Sequence, residues 1–137
     1  MTFHGVVADT HTIIWYLDSP AELSLAATVA LDNTANDPAQ RIYLSAISLI
    51  EMRYLTQKGK IKPSVLPQVL AEIDHLQTIL EVIAIDRALS EQLALIPRET
   101  VPEMPDRIIA ATALLSNLPL VTADNNIRAL TNVLTVW

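Results

Sequence analysis

The sequence predicts an α/β fold, a three-layer sandwich in which a central parallel sheet of four to five strands lies between helices. Five short runs rich in Val, Ile or Leu are separated by stretches with helical periodicity. These runs are mostly apolar and do not alternate strictly with polar residues, which is typical of parallel strands that are covered on both faces. The predicted strands are 5–9, 41–45, 80–85, 119–122 and 133–136.

The helices follow from apolar spacing and from turn residues. After the first strand, Ile13, Ile14 and Leu17 recur at three- and four-residue intervals. A helix over 46–57 is closed by Gly59. A further helix over 64–77 begins behind Pro63 and carries one apolar stripe, formed by Leu66, Val69, Leu70, Ile73 and Leu76.

Length and composition predict a single domain over residues 1–137, since no linker, repeat or low-complexity segment divides the chain. The absence of cysteine excludes disulfide frameworks and cysteine-based zinc sites. Although 51% of the residues are hydrophobic, every apolar run is much shorter than the roughly 18 residues that span a bilayer. Because a signal-peptide pattern is also lacking, we expect a soluble cytoplasmic protein whose surplus apolar surface contacts a partner.

The net charge of −6 comes from 9 basic and 15 acidic residues, and no block of Lys or Arg occurs. Simple nucleic-acid-binding modules carry a basic stripe that displaces counterions from phosphates. The charge therefore argues against such a module. It is compatible with an enzyme that meets phosphates through a bound metal ion.

Four acidic residues are expected at the carboxyl ends of the strands, where open parallel sheets bind ligands. Asp9 ends the first strand, and Glu51 lies in the early turns of the helix after the second. Asp106 begins the helix before the fourth strand, and Asp124 follows that strand. The pattern predicts that the four carboxylates converge on one edge of the sheet.

Each acid also has a purely structural interpretation. Asp9 fits a helix N-cap, and Ser48 with Glu51 fits a capping box. Asp106 would favourably oppose a helix dipole, and Asp124 lies in a turn-like stretch. Taken singly, these interpretations are the stronger ones; they do not explain why four acids fall on one edge.

A converged set of carboxylates requires neutralisation. Two like charges 4 Å apart repel by about 4 kcal/mol at an effective dielectric constant of 20. Either some groups take up protons or a cation binds, and an oxygen-only ligand set favours Mg²⁺ or Mn²⁺ over zinc. Such an ion activates water for in-line attack on a phosphodiester, and no convincing Ser/His/Asp or Cys/His arrangement offers a competing chemistry.

Four segments of the chain resemble the PIN-domain ribonucleases, and among them the VapC-type toxins of bacterial toxin–antitoxin pairs. They occur in the family's order at similar spacings, and together they are fairly specific. The segments are DTHTIIWYL at 9–17, SAISLIEMRYLTQKGKIK at 45–62, PDRIIAATAL at 105–114 and VTADNNI at 121–127.

The resemblance implies a metal-dependent endoribonuclease that hydrolyses RNA with Mg²⁺ or Mn²⁺. Thr10 and Thr122 would support the site or a phosphate, and Arg107 would pack and orient the helix that carries Asp106. The catalytic and metal-binding acids would be Asp9, Glu51, Asp106 and Asp124.

The resemblance also implies partners: an RNA substrate, a second copy of the chain in a homodimer, and an antitoxin protein whose helix covers an apolar groove near the site. Two departures from the family pattern are present. The loop before Asp106 reads VPEMPD where relatives tend to have DPFD, and Asn125 and Asn126 stand where some members add an acid. We therefore expect one firmly held ion and a second completed by substrate.

Three other functions are weighed. The first is a catalytically silent PIN domain that regulates by binding RNA or protein; intact acids argue against it. A receiver-like domain would use Asp86 as phosphoacceptor but needs a Lys that VLTVW lacks. A haloacid-dehalogenase-type phosphatase needs a second Asp where His11 stands.

The remaining candidates receive structural roles. Asp86 is expected to cap the helix RALSEQLAL. A helix advances about 100° per residue, so His11 is expected to point away from Asp9 and to serve in packing or at the surface. The aromatic residues Trp15, Tyr16 and Trp137 are expected in the core or an interface rather than stacked on bases.

Overall fold

The computed structural model describes residues 2–137 as one five-stranded sheet with helices on both faces. All neighbouring strands pair in parallel, in the spatial order β3-β2-β1-β4-β5. This confirms the predicted fold class. The strands are β1 Gly5–Ala8, β2 Arg41–Ser45, β3 Leu80–Ile83, β4 Leu120–Val121 and β5 Thr135–Val136.

The helices connect successive strands and complete the three layers. A short 3₁₀ turn, Pro20–Glu22, separates the first two helices. The helices are α1 Thr10–Asp18, α2 Leu25–Ala35, α3 Ala46–Gln57, α4 Val65–Asp74, α5 Arg87–Leu93, α6 Met104–Ser116 and α7 Asn125–Arg128.

Two hydrophobic clusters, one on each face of the sheet, hold the layers together. Along β1 the side chains alternate, with Val6 and Ala8 in one cluster and Val7 in the other. The first cluster contains buried residues of α1 to α4, and the second contains those of α5 to α7. Burial on both faces explains why β1 is apolar throughout.

The order of the strands places a crevice at the end of β1. The chain adds β2 and β3 on one side of β1, and then crosses over to add β4 and β5 on the other. Ligands of open parallel sheets bind at such a reversal, outside the carboxyl ends of the strands. Asp9 follows β1 directly at this place.

Two glycines have backbone conformations that other residues rarely adopt. Gly5 has φ +137°, and a Cβ there would collide with the carbonyl oxygen of Arg41 at the start of β2. Gly59 has φ +70° and follows the C-terminus of α3, as its predicted role as a helix terminator requires.

The structure corrects several boundaries. Helix α4 ends at Asp74 rather than at residue 77, and Leu76 is fully exposed in the following turn instead of completing the apolar stripe. Strand β3 ends at Ile83 rather than at 85. Strand β1 ends at Ala8 because the next residue caps α1.

The predicted capping box is wrong. Helix α3 begins at Ala46, and the hydroxyl of Ser45 caps it by accepting from the backbone N–H of Ile47 at 3.2 Å. Ser48 is therefore a buried residue inside the helix.

Within residues 2–137, no helix combines the length and the apolar character needed to cross a membrane.

Candidate active site

The four predicted acids line one pocket of about 430 Å³ at the carboxyl ends of β1 and β4. Four different elements supply them: the cap of α1, the middle of α3, the first turn of α6 and the cap of α7. The predicted convergence therefore holds in the fold. The pocket is lined by Asp9, Thr10, His11, Trp15, Glu51, Asp106, Ile109, Ala123 and Asp124.

Asp9 is buried and held by two hydrogen bonds. Its Oδ1 accepts from the backbone N–H of Thr12 at 2.9 Å, which is the predicted N-cap interaction. Its Oδ2 accepts from the hydroxyl of Thr122. An ionised carboxylate offers about four lone-pair positions, so these two bonds leave capacity for a cation.

Thr122 links the first and last acids of the pocket. Its side chain is fully buried after β4, and besides donating to Asp9 it accepts from the backbone N–H of Asp124 at 3.0 Å. Asp124 in turn caps α7 by accepting from the N–H of Ile127 at 2.9 Å. Both residues are thus positioned by bonds that the fold requires.

Glu51 is positioned by Thr10. The hydroxyl of Thr10 donates to Glu51 Oε1 at 2.6 Å and lies 2.9 Å from Ser48 Oγ. Thr10 is buried, and it bonds two residues of α3 from the first position of α1. These contacts hold the carboxylate of Glu51, which lines the pocket. They are compatible with the supporting role expected for Thr10.

Among the four pocket acids, Asp106 alone has a side chain that makes no hydrogen bond to another of residues 2–137. Burial, the largest cause, and the negative charges of Asp124, Glu51, Asp9 and Glu103 together raise the pKa of this carboxyl from 3.8 to about 6. Burial and the repulsion expected from the sequence therefore both act on this carboxyl.

The donor set suits a hard divalent cation, since four carboxylates surround the pocket and no thiol or thioether does. Among residues 2–137, no three His, Asp or Glu side chains lie close enough to hold one ion as they stand. A bound ion would therefore require the carboxylates to lie closer together than they do here.

Arg107 points away from the pocket. Its Nη2 donates to the carbonyl oxygens of Leu93 at 3.4 Å and Ile96 at 3.3 Å, and its Nε is buried without a partner among residues 2–137. The guanidinium thus joins the start of α6 to the end of α5. This arrangement suits the orienting role expected for Arg107, at a distance from the acids.

Sequence reasoning missed four residues of the pocket lining: the apolar residues Ile109 and Ala123, and the two ring residues His11 and Trp15. The helical-wheel argument failed because Asp9 is a cap outside the helix and not part of its regular turn. The four-residue spacing of His11 and Trp15 was the available signal, since it places both rings on one face of α1. Asp86, by contrast, caps α5 as predicted, accepting from the N–H of Leu89 at 3.0 Å.

This combination of a parallel sheet and four converging carboxylates agrees with the family match. The sequence signature described as the PIN domain matches residues 6–133, and the chain belongs to the PIN domain family. Within that family it is similar to Ribonuclease VapC22 of Mycobacterium tuberculosis (strain ATCC 25618 / H37Rv). The two are 27% identical over 124 residues, which is 90% of each chain.

Solved structures share the fold. The VapBC2 structure from Rickettsia felis, bound to a DNA fragment from their promoter, aligns with a TM-score of 0.69 and 18% identity, over 95% of this chain and 96% of that one. FitAcB from Neisseria gonorrhoeae aligns with a TM-score of 0.61 and 22% identity, over 95% of both chains. A toxin–antitoxin complex from Klebsiella pneumoniae aligns with a TM-score of 0.59 and 22% identity, over 96% of this chain and 97% of that one.

Proposed function

We propose that the chain is a metal-dependent endoribonuclease and acts as the toxin of a toxin–antitoxin pair. The observation that carries the proposal is the convergence of four carboxylates on one pocket of a PIN domain. The similarity to a protein named a ribonuclease supports RNA as the substrate. The cytoplasm is the proposed place of action, since RNA is found there.

Asp9, Glu51, Asp106 and Asp124 would hold Mg²⁺ or Mn²⁺. When bound, such an ion lowers the pKa of water and stabilises the negative charge of the transition state in phosphodiester hydrolysis. Thr122 and Thr10 hold Asp9 and Glu51 in place, which limits reorganisation of the ligands. Asp106, which has no such support, is the acid whose charge most needs a cation.

The test is cleavage of total RNA from the source cells with and without Mg²⁺, with new 5′ ends mapped by sequencing. Asp106→Asn should abolish the cuts, because it removes one negative ligand while keeping the side-chain size. Asp86→Asn is the matched control: it removes a carboxylate charge outside the pocket and keeps a residue that caps helices. A folded wild type that makes no cut absent from Asp106→Asn would favour the catalytically silent regulator.

The antitoxin is proposed to bind the groove between α3 and α4, which shares α3 with Glu51. This groove has a volume of about 320 Å³, and Ile50 and Tyr54 on α3 are 60% and 58% exposed. One of the solved relatives is described as a toxin–antitoxin complex. The groove is lined by Arg53, Thr56, Gln57, Pro63, Leu66, Pro67 and Leu70.

The homodimer is proposed to use a separate apolar surface. Leu95 and Leu134 are both exposed, and the side-chain amide of Asn132 donates to the carbonyl of Leu95 at 3.0 Å, which places the two leucines on neighbouring segments. Light scattering should give the dimer mass for the wild type and the monomer mass for Leu134→Asp. A monomeric wild type would contradict this part of the proposal.

A further inference from the structure

The acid pocket has an aromatic wall beside its carboxylates. His11 and Trp15 line it one turn apart on α1, with ring centroids 5.6 Å apart and planes inclined by 48°. Trp137 extends the series, its centroid 5.8 Å from that of Trp15. We call these three residues the aromatic row. Both tryptophans of the chain belong to it.

His11 is the accessible member of the aromatic row. Trp15 and Trp137 are partly buried and pack against the hydrophobic cluster of α1 to α4, so the fold accounts for them. The side chain of His11 is exposed, and within residues 2–137 it forms no hydrogen bond or ion pair. No polar contact among the described residues therefore accounts for its place at the pocket.

The position of His11 suits a nucleotide bound at the acids. Its Cα is two residues from that of Asp9, which limits their separation to roughly 7 Å. The pocket volume of about 430 Å³ lies within the range of small-ligand sites. A phosphate held at the carboxylates through a divalent ion would therefore leave its neighbouring base within reach of the imidazole, and aromatic side chains stack on any base.

The charge of the pocket lining also favours a base-stacking contact. In many nucleic-acid-binding proteins Lys and Arg contacts to phosphates supply much of the affinity. None of the residues that line this pocket is Lys or Arg, and the chain carries a net charge of −6. Contacts other than those of Lys and Arg must therefore hold the RNA here: the divalent ion proposed at the acids would meet the phosphate, and the aromatic wall offers base stacking.

We propose that His11 and Trp15 form a stacking shelf for the nucleobase next to the phosphate bound at the acids. The substrate would be single-stranded there, because the bases of a duplex are already stacked on their neighbours. The proposal rests on the ribonuclease function proposed above, and it adds the mode in which RNA is held. His11 and Trp15 are binding residues for the base, separate from the acids.

The experiment compares an octamer of adenylate with an abasic octamer of the same backbone, both carrying fluorescein. Binding is followed by fluorescence anisotropy in Mg²⁺ with protein carrying Asp106→Asn, which prevents cleavage. In this background we expect the adenylate octamer to bind more tightly than the abasic one. His11→Ala should weaken adenylate binding about fivefold or more, the lower end of stacking losses, and leave abasic binding unchanged.

Three controls separate stacking from other roles. His11→Phe keeps a flat ring and should retain the affinity for adenylate. His75→Ala removes an exposed histidine that does not line the pocket and should change nothing. With Trp137→Phe, Trp15 becomes the only tryptophan, and its fluorescence should be quenched by the adenylate octamer but not by the abasic one.

The outcomes distinguish the shelf from the function on which it rests. The shelf is contradicted if both octamers bind with equal affinity, or if His11→Phe binds the adenylate octamer as weakly as His11→Ala does. RNA cleavage by protein with Asp106 intact would in that case still support the ribonuclease function. Unchanged adenylate binding by His11→Ala together with a weakened antitoxin complex would assign His11 to a protein contact. If neither octamer binds and no RNA is cut, the proposed ribonuclease function is contradicted, and the stacking shelf, which depends on it, is contradicted as well.

Discussion

The two sides of the acid pocket are held in different ways. On the β1–β4 side, Asp9 and Asp124 are joined through Thr122, and each also caps a helix. On the α6 side, the Asp106 carboxylate has no hydrogen bond within residues 2–137, and burial with the surrounding negative charges raises its pKa to about 6.

This difference shows that one pocket combines acids that stabilise the fold with an acid that opposes it. The capping carboxylates satisfy backbone N–H groups that would otherwise lack partners. Asp106 satisfies none, so its ionised form costs free energy until a cation or proton arrives. Mutations on the two sides should therefore change stability in opposite directions.

The largest effect is expected from Thr122→Val, which keeps the shape of the side chain and removes its hydroxyl. Asp9 Oδ2 and the N–H of Asp124 would both lose a buried partner. We expect a loss of about 2–3 kcal/mol in the free energy of unfolding, measured with urea. Thr112→Val is the control, because this buried hydroxyl donates only to a carbonyl within its own helix and should cost less than about 1 kcal/mol. Equal losses of unfolding free energy in the two variants would show that the hydroxyl of Thr122 stabilises the fold no more than a hydroxyl bonded within its own helix.

Asp106→Asn should stabilise the metal-free protein near neutral pH. A carboxyl with a folded pKa of about 6 and an ordinary value of 3.8 binds its proton more tightly in the folded state, so its favourable contribution exists below about pH 4 and disappears as pH rises to 6. The full difference corresponds to ~3 kcal/mol, which solvent screening reduces to about 1 kcal/mol at this partly exposed group.

The measurement is urea unfolding of wild type and Asp106→Asn with a chelator present, at pH 4 and pH 7.5. The two proteins should unfold alike at pH 4, and the variant should be more stable at pH 7.5. An advantage that is the same at both pH values would show that charge on Asp106 is not its cause.

A divalent cation should make the wild type more stable than Asp106→Asn. With Mn²⁺ at ten times its dissociation constant, binding to the folded state adds ~1.4 kcal/mol to the wild type. Asp106→Asn, which lacks one of the four carboxylates, should gain less at the same concentration. Thermal unfolding with and without Mn²⁺ measures both gains, and equal gains would place the ion away from Asp106.

Much of the fold could be predicted because its strands are buried on both faces. The helix over 46–57 was predicted with the bounds that the structure has, since Gly59 marks its end. The end of α4 could not be predicted from spacing alone. Leu76 continues the apolar period, but the helix stops at Asp74 and the turn into β3 leaves this leucine in solvent.

The acids of the site could be predicted for a topological reason: parallel strands bring their carboxyl ends to one edge. The pocket wall could not, because it depends on side-chain direction in the first turn of α1. His11 lies on the pocket side there although a wheel drawn from Asp9 places it elsewhere. Local caps were also ambiguous, since Ser45 and Ser48 both precede a helical pattern and only Ser45 caps it.

The smallest change in stability is expected from Asp124→Asn, although the residue lies on the hydrogen-bonded side. Two of its bonds survive the substitution: the backbone N–H still donates to Thr122, and an Asn side chain still caps α7 toward Ile127. We expect the free energy of unfolding to stay within about 0.5 kcal/mol of wild type. RNA cleavage should nevertheless fall sharply, because one negative ligand is lost. Undiminished cleavage in a stable Asp124→Asn protein would mean that this carboxylate serves the fold alone, and that the ion depends on the other three acids.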